Sequence, residues 1–267
     1  MGIISDEETR AYNREAWDRQ VEQGNMWTRP VDKRVIEAAR RGEWSVVLTG
    51  LVPVPRDWFP AELVGVDLLG LASGGGQQGA TLAAAGANVT VLDNSPRQLD
   101  RDRALTDEFG LALRTVLADM ADLSALADGS FDLVFHPVSN VFAADVRPVW
   151  REAWRVLRPG GSLLAGFMNP AGFLFDNERF DRTGERVVRY KLPYADSRDR
   201  PADELAAMRE RGEPLEFSHS LDAQIGGQLE AGFQLIGFYE SHRDASEWCG
   251  PLADYMPEYI ATRARKP

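Results

Sequence analysis

The chain has 267 residues, a formal net charge of −11, and 44% hydrophobic residues. This length and composition predict one α/β domain with an elaboration. The acidic balance argues against a nucleic acid partner, because phosphate backbones favour clustered Lys and Arg. No apolar run approaches the ~20 residues that cross a bilayer, and the N terminus lacks a signal-peptide pattern, so we expect no membrane partner. The single cysteine, Cys249, cannot form an internal disulfide, which favours a cytoplasmic location.

The first sixty residues precede any core strand. Helical patterns near residues 8–22 and 31–41 are followed by GLVPVPRDWFP, which is too rich in proline for a helix. We interpret residues 1–60 as an N-terminal helical cover and residues 61–267 as the core domain.

Short apolar runs alternate with helical patterns through the core domain. The predicted strands are 63–72, 88–93, 113–118, 131–136, 161–168, 233–240 and 259–265. The predicted helices are 77–86, 96–109, 144–157 and 220–231. Such alternation is typical of a parallel sheet covered on both faces, so we predict a doubly wound, Rossmann-like α/β fold. Residues 170–216 break the rhythm, which favours a substrate lid inserted after the fifth strand.

Three consecutive glycines, Gly74 to Gly76, follow the first core strand in LLGLASGGGQQG. Backbone without side chains can approach a ligand closely, and a helix N terminus offers free N–H groups. The next strand ends at Asp93, where an acid accepts hydrogen bonds from ribose hydroxyls. The pattern therefore predicts a nucleoside-containing ligand. Because Gly74 to Gly79 also fits G-x-G-x-x-G, an NAD(P)-dependent oxidoreductase remains an alternative.

Four segments between residues 63 and 168 occur in a characteristic order. They are GLASGGG, VLDNSPRQL, LADMADLSALADGSFDLVF and WREAWRVLRPGGSLLAGF. Together they resemble the class I S-adenosylmethionine-dependent methyltransferases, whose first motif is (D/E)-x-G-x-G-x-G. The resemblance implies a seven-stranded, mostly parallel sheet with an antiparallel last strand. It also implies S-adenosylmethionine as cofactor, S-adenosylhomocysteine as product, and methyl transfer to a small-molecule acceptor by in-line displacement.

The first motif departs from the family pattern at two positions. Gly70 stands where the family has an acid, and Ala72 stands where it has a glycine. These departures leave a catalytically silent nucleoside-binding protein as a second alternative. The cofactor-binding residues that the resemblance implies are Trp27, Ala72, Ser73, Gly74, Gly76, Asp93, Asn94, Asp119, Met120 and His136. Trp17 or Trp27 would cap the ligand, or both would only attach the N-terminal helix to the sheet.

The fourth and fifth strands end in polar residues at the rim where open α/β sheets bind ligands. His136 is a candidate general base, because an unperturbed pKa of about 6.5 suits proton removal near neutrality. Alternatively, it shapes the cofactor pocket. The candidate substrate residues are Asn140, Asn169, Tyr190, Tyr194 and His219. Aromatic lid residues suit a substrate pocket, although a small core under the lid explains them equally well. We expect no metal site, and we interpret His242 as a solvated loop residue.

Overall fold

The computed structural model describes residues 5–50, 52–241 and 250–267. The predictions for His242 and Cys249 lie outside the described residues. Of the helices in this part of the chain, none is long and apolar enough to span a bilayer.

The N-terminal segment forms two helices and a short hairpin. Helix α1 (Asp6–Gln23) begins with a capping box, in which the Ser5 hydroxyl accepts from the Glu8 amide and the Glu8 carboxylate accepts from the Ser5 amide, so two amides at the helix start are satisfied. Helix α2 (Lys33–Arg40) follows. Strand β1 (Val47–Thr49) precedes the proline-rich stretch and pairs antiparallel with β2 (Val52–Pro53) inside it.

Seven strands make the central sheet. They are β3 (Asp67–Leu71), β4 (Asn88–Asp93), β5 (Leu113–Leu117), β6 (Phe131–His136), β7 (Leu157–Met168), β8 (Gln234–Ser241) and β9 (Tyr259–Arg265). Their order is β5-β4-β3-β6-β7-β9-β8, and β9 runs antiparallel to both of its neighbours. The predicted fold is confirmed. Strand β3 starts four residues later than predicted, because Gly65 adopts φ +80° in a turn that the amide of Val66 closes onto the carbonyl of Leu63.

Both faces of the sheet are covered. Helices α3 (Gln78–Ala84) and α4 (Pro96–Phe109) follow β3 and β4, and α5 (Arg147–Val156) precedes β7. Successive residues of β3 point to opposite faces, as a strand requires. Leu68 therefore belongs to the apolar cluster around α2 and α3, whereas Leu69 belongs to the cluster around α5.

The segment after β7 contains helices α6 (Asn177–Thr183), α7 (Asp196–Asp199) and α8 (Ala202–Arg211). Its small core consists of Ala195, Leu205, Met208, Leu215 and Phe217, with Tyr12 of α1 packed against it. These helices are too short to show a clear period in the sequence. The predicted helix at 220–231 is a π-helical turn (Asp222–Gly226) that leads into α9 (Gly227–Glu230).

Candidate active site

A cavity of about 360 Å³ lies at the carboxyl ends of the parallel strands. This is where an open α/β sheet binds its ligands. Helix α1 contributes Arg10, Asn13 and Trp17 to the lining. The predicted site residues that line the cavity are Trp27, Ala72, Ser73, Gly74, Asp93, Asn94, Asp119 and Met120. The structure thus brings most of the predicted cofactor residues to one cavity.

The glycine turn after β3 has a backbone that side chains would obstruct. A Cβ atom at Gly74 would lie 2.8 Å from Cβ of Gln98 and 3.0 Å from Oδ2 of Asp93. Gly75 adopts φ +111°, and its Cβ would lie 3.0 Å from the carbonyl oxygen of Trp27. The turn therefore needs glycine both for its conformation and for its close contact with the segment around Trp27.

Three successive amides of this turn donate to carboxylates of the protein itself. The Gly74 amide donates to Oδ2 of Asp93 at 2.9 Å. The amides of Gly75 and Gly76 donate to Oδ2 and Oδ1 of Asp102 at 3.0 and 3.2 Å. A bound pyrophosphate would need such amides as its own donors. The arrangement therefore argues against a dinucleotide at this turn.

Two acids, Asp93 and Asp119, line the cavity. Burial raises the pKa of Asp93, while hydrogen bonds from the amides of Ser95 and Gly74 lower it. Burial also raises the pKa of Asp119, whose Oδ1 accepts from the Ala121 amide at 2.8 Å. Each carboxylate oxygen can accept more than one hydrogen bond, so both acids retain capacity to accept from a ligand.

Two buried polar atoms of cavity-lining residues have no hydrogen-bond partner in the described part of the chain. They are Oγ of Ser73 and Oε1 of Gln98. Buried polar atoms are normally satisfied, so a polar ligand fits this cavity better than an apolar one.

A family model described as a methyltransferase domain matches residues 69–165. An uncharacterized methyltransferase of Bacillus subtilis (strain 168), YbaJ, is 49% identical over 256 residues, which cover 96% of this chain and 98% of the relative. The chain belongs to the class I S-adenosylmethionine-dependent methyltransferases.

More distant relatives of this methyltransferase share its central part. A ubiquinone biosynthesis O-methyltransferase from Xanthomonas oryzae pv. oryzae (strain PXO99A) is 32% identical over 47% of this chain and 54% of its own length. The crystal structure of an S-adenosylmethionine-dependent methyltransferase from Mesorhizobium loti superposes with a TM-score of 0.58 at 19% identity. It covers 79% of this chain and 94% of the other, and at this identity the likeness shows the fold.

The methyltransferase uses S-adenosylmethionine as its cofactor. The residues of the cavity fit this group: acids with spare acceptor capacity suit hydroxyl and amine donors, and the turn amides are unavailable to phosphate. The family assignment removes the oxidoreductase and the catalytically silent protein as alternatives. Among the described residues, no group of His, Cys, Asp and Glu could hold a metal ion.

His136 lies behind the cavity. It is fully buried at the end of β6, and its Nδ1 donates to the carbonyl of Leu71 at 2.9 Å. Burial lowers the pKa of His136 to about 4, so the ring is neutral at physiological pH. The bond to Leu71 holds the end of β3 just before the glycine turn. This position favours the pocket-shaping role, and the general-base role stays a prediction.

Six other predicted site residues lie outside the lining of the cavity: Gly76, Asn140, Asn169, Tyr190, Tyr194 and His219. Most of them contact other residues of the protein. The side-chain Nδ2 of Asn140 donates to the Gly166 carbonyl, and Nε2 of His219 donates to the backbone carbonyl of Asn140. The Tyr194 hydroxyl donates to Asp196 at 2.6 Å, and its ring packs on Tyr190 with centroids 4.7 Å apart. Substrate contact by these residues therefore stays a prediction. Tyr190 and Tyr194 belong to a second small cluster, with Val141 and Phe173.

Sequence reasoning missed much of the remaining lining. Thr49, Phe142, Met168, Glu216 and Tyr259 all face the cavity. They come from five separate segments of the chain, and no local pattern links them. Asp102 holds the glycine turn without lining the cavity. An acid between Leu99 and Leu105 on the buried face of α4 breaks the apolar spacing, so this residue is visible in the sequence.

Proposed function

We propose that this protein transfers the methyl group of S-adenosylmethionine to a small-molecule acceptor in the cytoplasm. The observation that carries the proposal is the cavity of about 360 Å³, a volume typical of small-ligand sites. Helix α1 and the lid contribute Trp17, Asn177 and Glu216 to its walls. The single cysteine of the sequence supports the reducing compartment.

The lining outside the predicted cofactor residues is mainly apolar. Leu48, Val138, Val141, Phe142 and Met168 contribute to it. Glu216 is the acidic residue that the lid adds. An uncharged or cationic acceptor with an apolar body suits these walls. The net charge of −11 supports the exclusion of nucleic acid from the proposed acceptors.

Two elements close the cavity together. The side-chain Nδ2 of Asn13 in α1 donates to the carbonyls of Phe142 and Leu215. Its Oδ1 accepts from the backbone amide of Leu215 at 2.7 Å. The ring of Trp17 meets that of Phe142 edge-on, with centroids 5.1 Å apart. We propose that the N-terminal segment and the lid act as one cover, which excludes water and aligns the acceptor.

Bound S-adenosylmethionine supplies an electrophilic methyl group on a sulfonium centre. The protein's proposed task is alignment: Asp93 accepts from the ribose, Asp119 and Met120 flank the adenine, and the glycine turn supports the amino acid end. Good alignment alone is worth roughly 7–11 kcal/mol of barrier. Glu216 is the lining residue that we propose to take a proton from the acceptor where one must be removed.

The test combines purified protein with isotopically methyl-labelled S-adenosylmethionine and a small-metabolite extract, and mass spectrometry detects labelled products. Met168→Trp places a larger side chain in the lining, so we expect it to abolish labelling while cofactor affinity, measured by calorimetry, stays within about threefold. Val188→Trp is the matched control, because Val188 is 65% exposed on the lid. Labelling of RNA or protein in a crude extract, with none of small molecules, would refute the proposal.

A further inference from the structure

Asp102 is a buried acid that the proposed chemistry does not use. Its side chain is fully buried on α4, between Leu99 and Leu105 of the same buried helix face. An acid in such a position costs stability unless its oxygens are hydrogen-bonded. Both oxygens of Asp102 accept from amides of the glycine turn, Gly75 at 3.0 Å and Gly76 at 3.2 Å.

Strand β3, which leads into the turn, provides no side chain that accepts a hydrogen bond from these amides. A Cβ atom at Gly70 would lie 2.5 Å from Oγ of Ser73, so Ser73 fills the space that a larger residue at position 70 would need. The turn is instead held from α4. The Gly75 amide also lies 3.2 Å from the carbonyl of Gln98, one helical turn before Asp102.

A second acid, Asp93 of β4, acts on Asp102 and raises its pKa, and Asp18 of α1 acts on Asp93 in the same sense. Burial is the largest cause, the hydrogen bonds from the Gly75 and Gly76 amides oppose it, and the balance raises the pKa of Asp102 to about 7. Asp102 therefore titrates near physiological pH, directly behind the turn that lines the cofactor cavity.

We propose that Asp102 is a positioning residue for the cofactor: it fixes the glycine turn through Gly75 and Gly76 and, when ionised, favours the cationic S-adenosylmethionine over the uncharged sulfur of S-adenosylhomocysteine. A buried negative charge near a cation stabilises it far more than one in water does. The preference helps the enzyme to release its product. It concerns the cofactor alone and holds whichever acceptor the enzyme uses.

Binding of the cationic cofactor should lower the pKa of Asp102. Affinity is then full above about pH 7 and declines as the pH falls through that value, because the protonated acid must lose its proton on binding. A lowering by one pKa unit corresponds to about a tenfold change in affinity. S-adenosylhomocysteine lacks the sulfonium charge, so its affinity should change much less.

The experiment is calorimetric titration of the full chain with each ligand at pH 6, 7 and 8. For the wild type we expect the ratio of the two affinities to shift towards S-adenosylmethionine by about fivefold to tenfold from pH 6 to pH 8. In Asp102→Asn we expect that shift to disappear, with about tenfold weaker binding of S-adenosylmethionine at pH 8. Asp107→Asn is the matched control, because Asp107 is exposed on the same helix.

Thermal melting without ligand shows whether each variant is folded. A folded Asp102→Asn that retains the wild-type affinity ratio and its pH dependence overturns the proposal, and so does equal weakening of both ligands at every pH. The wild-type titration decides the matter even if the variant does not fold, since a ratio that is constant from pH 6 to 8 contradicts an ionised Asp102 beneath the cofactor. Methylation of any acceptor plays no part in these readouts.

Discussion

Removal of the Asn13 side chain should loosen α1 from the lid and from Phe142. Asn13 is 3% exposed and makes three hydrogen bonds that join α1 to Phe142 and to Leu215. In Asn13→Ala both polar groups of the Leu215 backbone lose these partners inside a buried contact, and so does the Phe142 carbonyl.

The magnitude follows from those bonds. A buried group that is left without a partner costs about 1–3 kcal/mol. We expect a total of about 3 kcal/mol, because neighbouring bonds from Tyr12 to Glu213 and from Gln20 to Gly212 remain and limit the opening. If the loss is global, the melting temperature falls by about 6–12 °C.

Hydrogen exchange followed by mass spectrometry separates local from global loss. We expect faster exchange in residues 6–23 and 212–217 and several-fold weaker binding of S-adenosylmethionine, because α1 lines the cofactor cavity. Gln23→Ala is the control: Gln23 is exposed on the same helix and reaches the Arg211 carbonyl only at 3.5 Å, so we expect a change within about 0.5 kcal/mol. Unchanged exchange in both segments of Asn13→Ala would refute the idea that this residue couples the helix to the lid.

Three further predictions concern the core, the turn and the pH dependence. Gly166→Ala should destabilise the fold by more than about 3 kcal/mol in urea unfolding, because its Cβ would lie 2.2 Å from the Leu48 carbonyl; Gly172→Ala, whose Cβ has its nearest contact at 3.9 Å, should be harmless. Gly74→Ala should weaken calorimetric binding of S-adenosylmethionine at least tenfold, since its Cβ would displace Asp93 and Gln98, and wild-type affinity would contradict the assigned turn. The folded pKa of His136, about 4, lies below the unfolded value of 6.5, so stability is lost as the pH falls through that window. His136 accounts for a loss of about 2 kcal/mol in the free energy of unfolding between pH 7 and 5. In urea unfolding of His136→Gln, the loss over this pH range should be smaller by that amount.

The sheet could be predicted because its strands are local patterns. Runs such as LLGLA and FDLVFH are buried on both faces, so each strand is apolar at almost every position. The predicted strand bounds are wrong where backbone geometry decides them. In β3, the turn at Gly65 moves the start of the strand to Asp67. Strand β7 starts at Leu157 instead of 161, because Leu157 pairs with Phe131 across an irregularity in the register.

The lining of the cavity was predictable only where its residues lie next to strand ends. Asp93 follows β4 directly, whereas Glu216 reaches the cavity through the pairing of its backbone with Asp196 in the lid. Tyr194 has the composition of a pocket residue, yet its hydroxyl bonds Asp196 and its ring packs on Phe173. Composition alone does not separate these roles, because an aromatic side chain suits a small core as well as a ligand.

Gly70 and Ala72, the two residues that depart from the family motif, each fit the local structure of the glycine turn. Ala72 adopts φ +47°, a conformation that costs an alanine about 1 kcal/mol or more, and its amide is held by the Leu92 carbonyl at 2.7 Å. Gly70 leaves room for Ser73, and Asp102 holds the amides of Gly75 and Gly76 from the opposite side. A strained residue persists only where its surroundings fix it, and here β4 and α4 do so. The support of the turn comes from the helix that follows β4, so a reading of position 70 alone would underestimate the site.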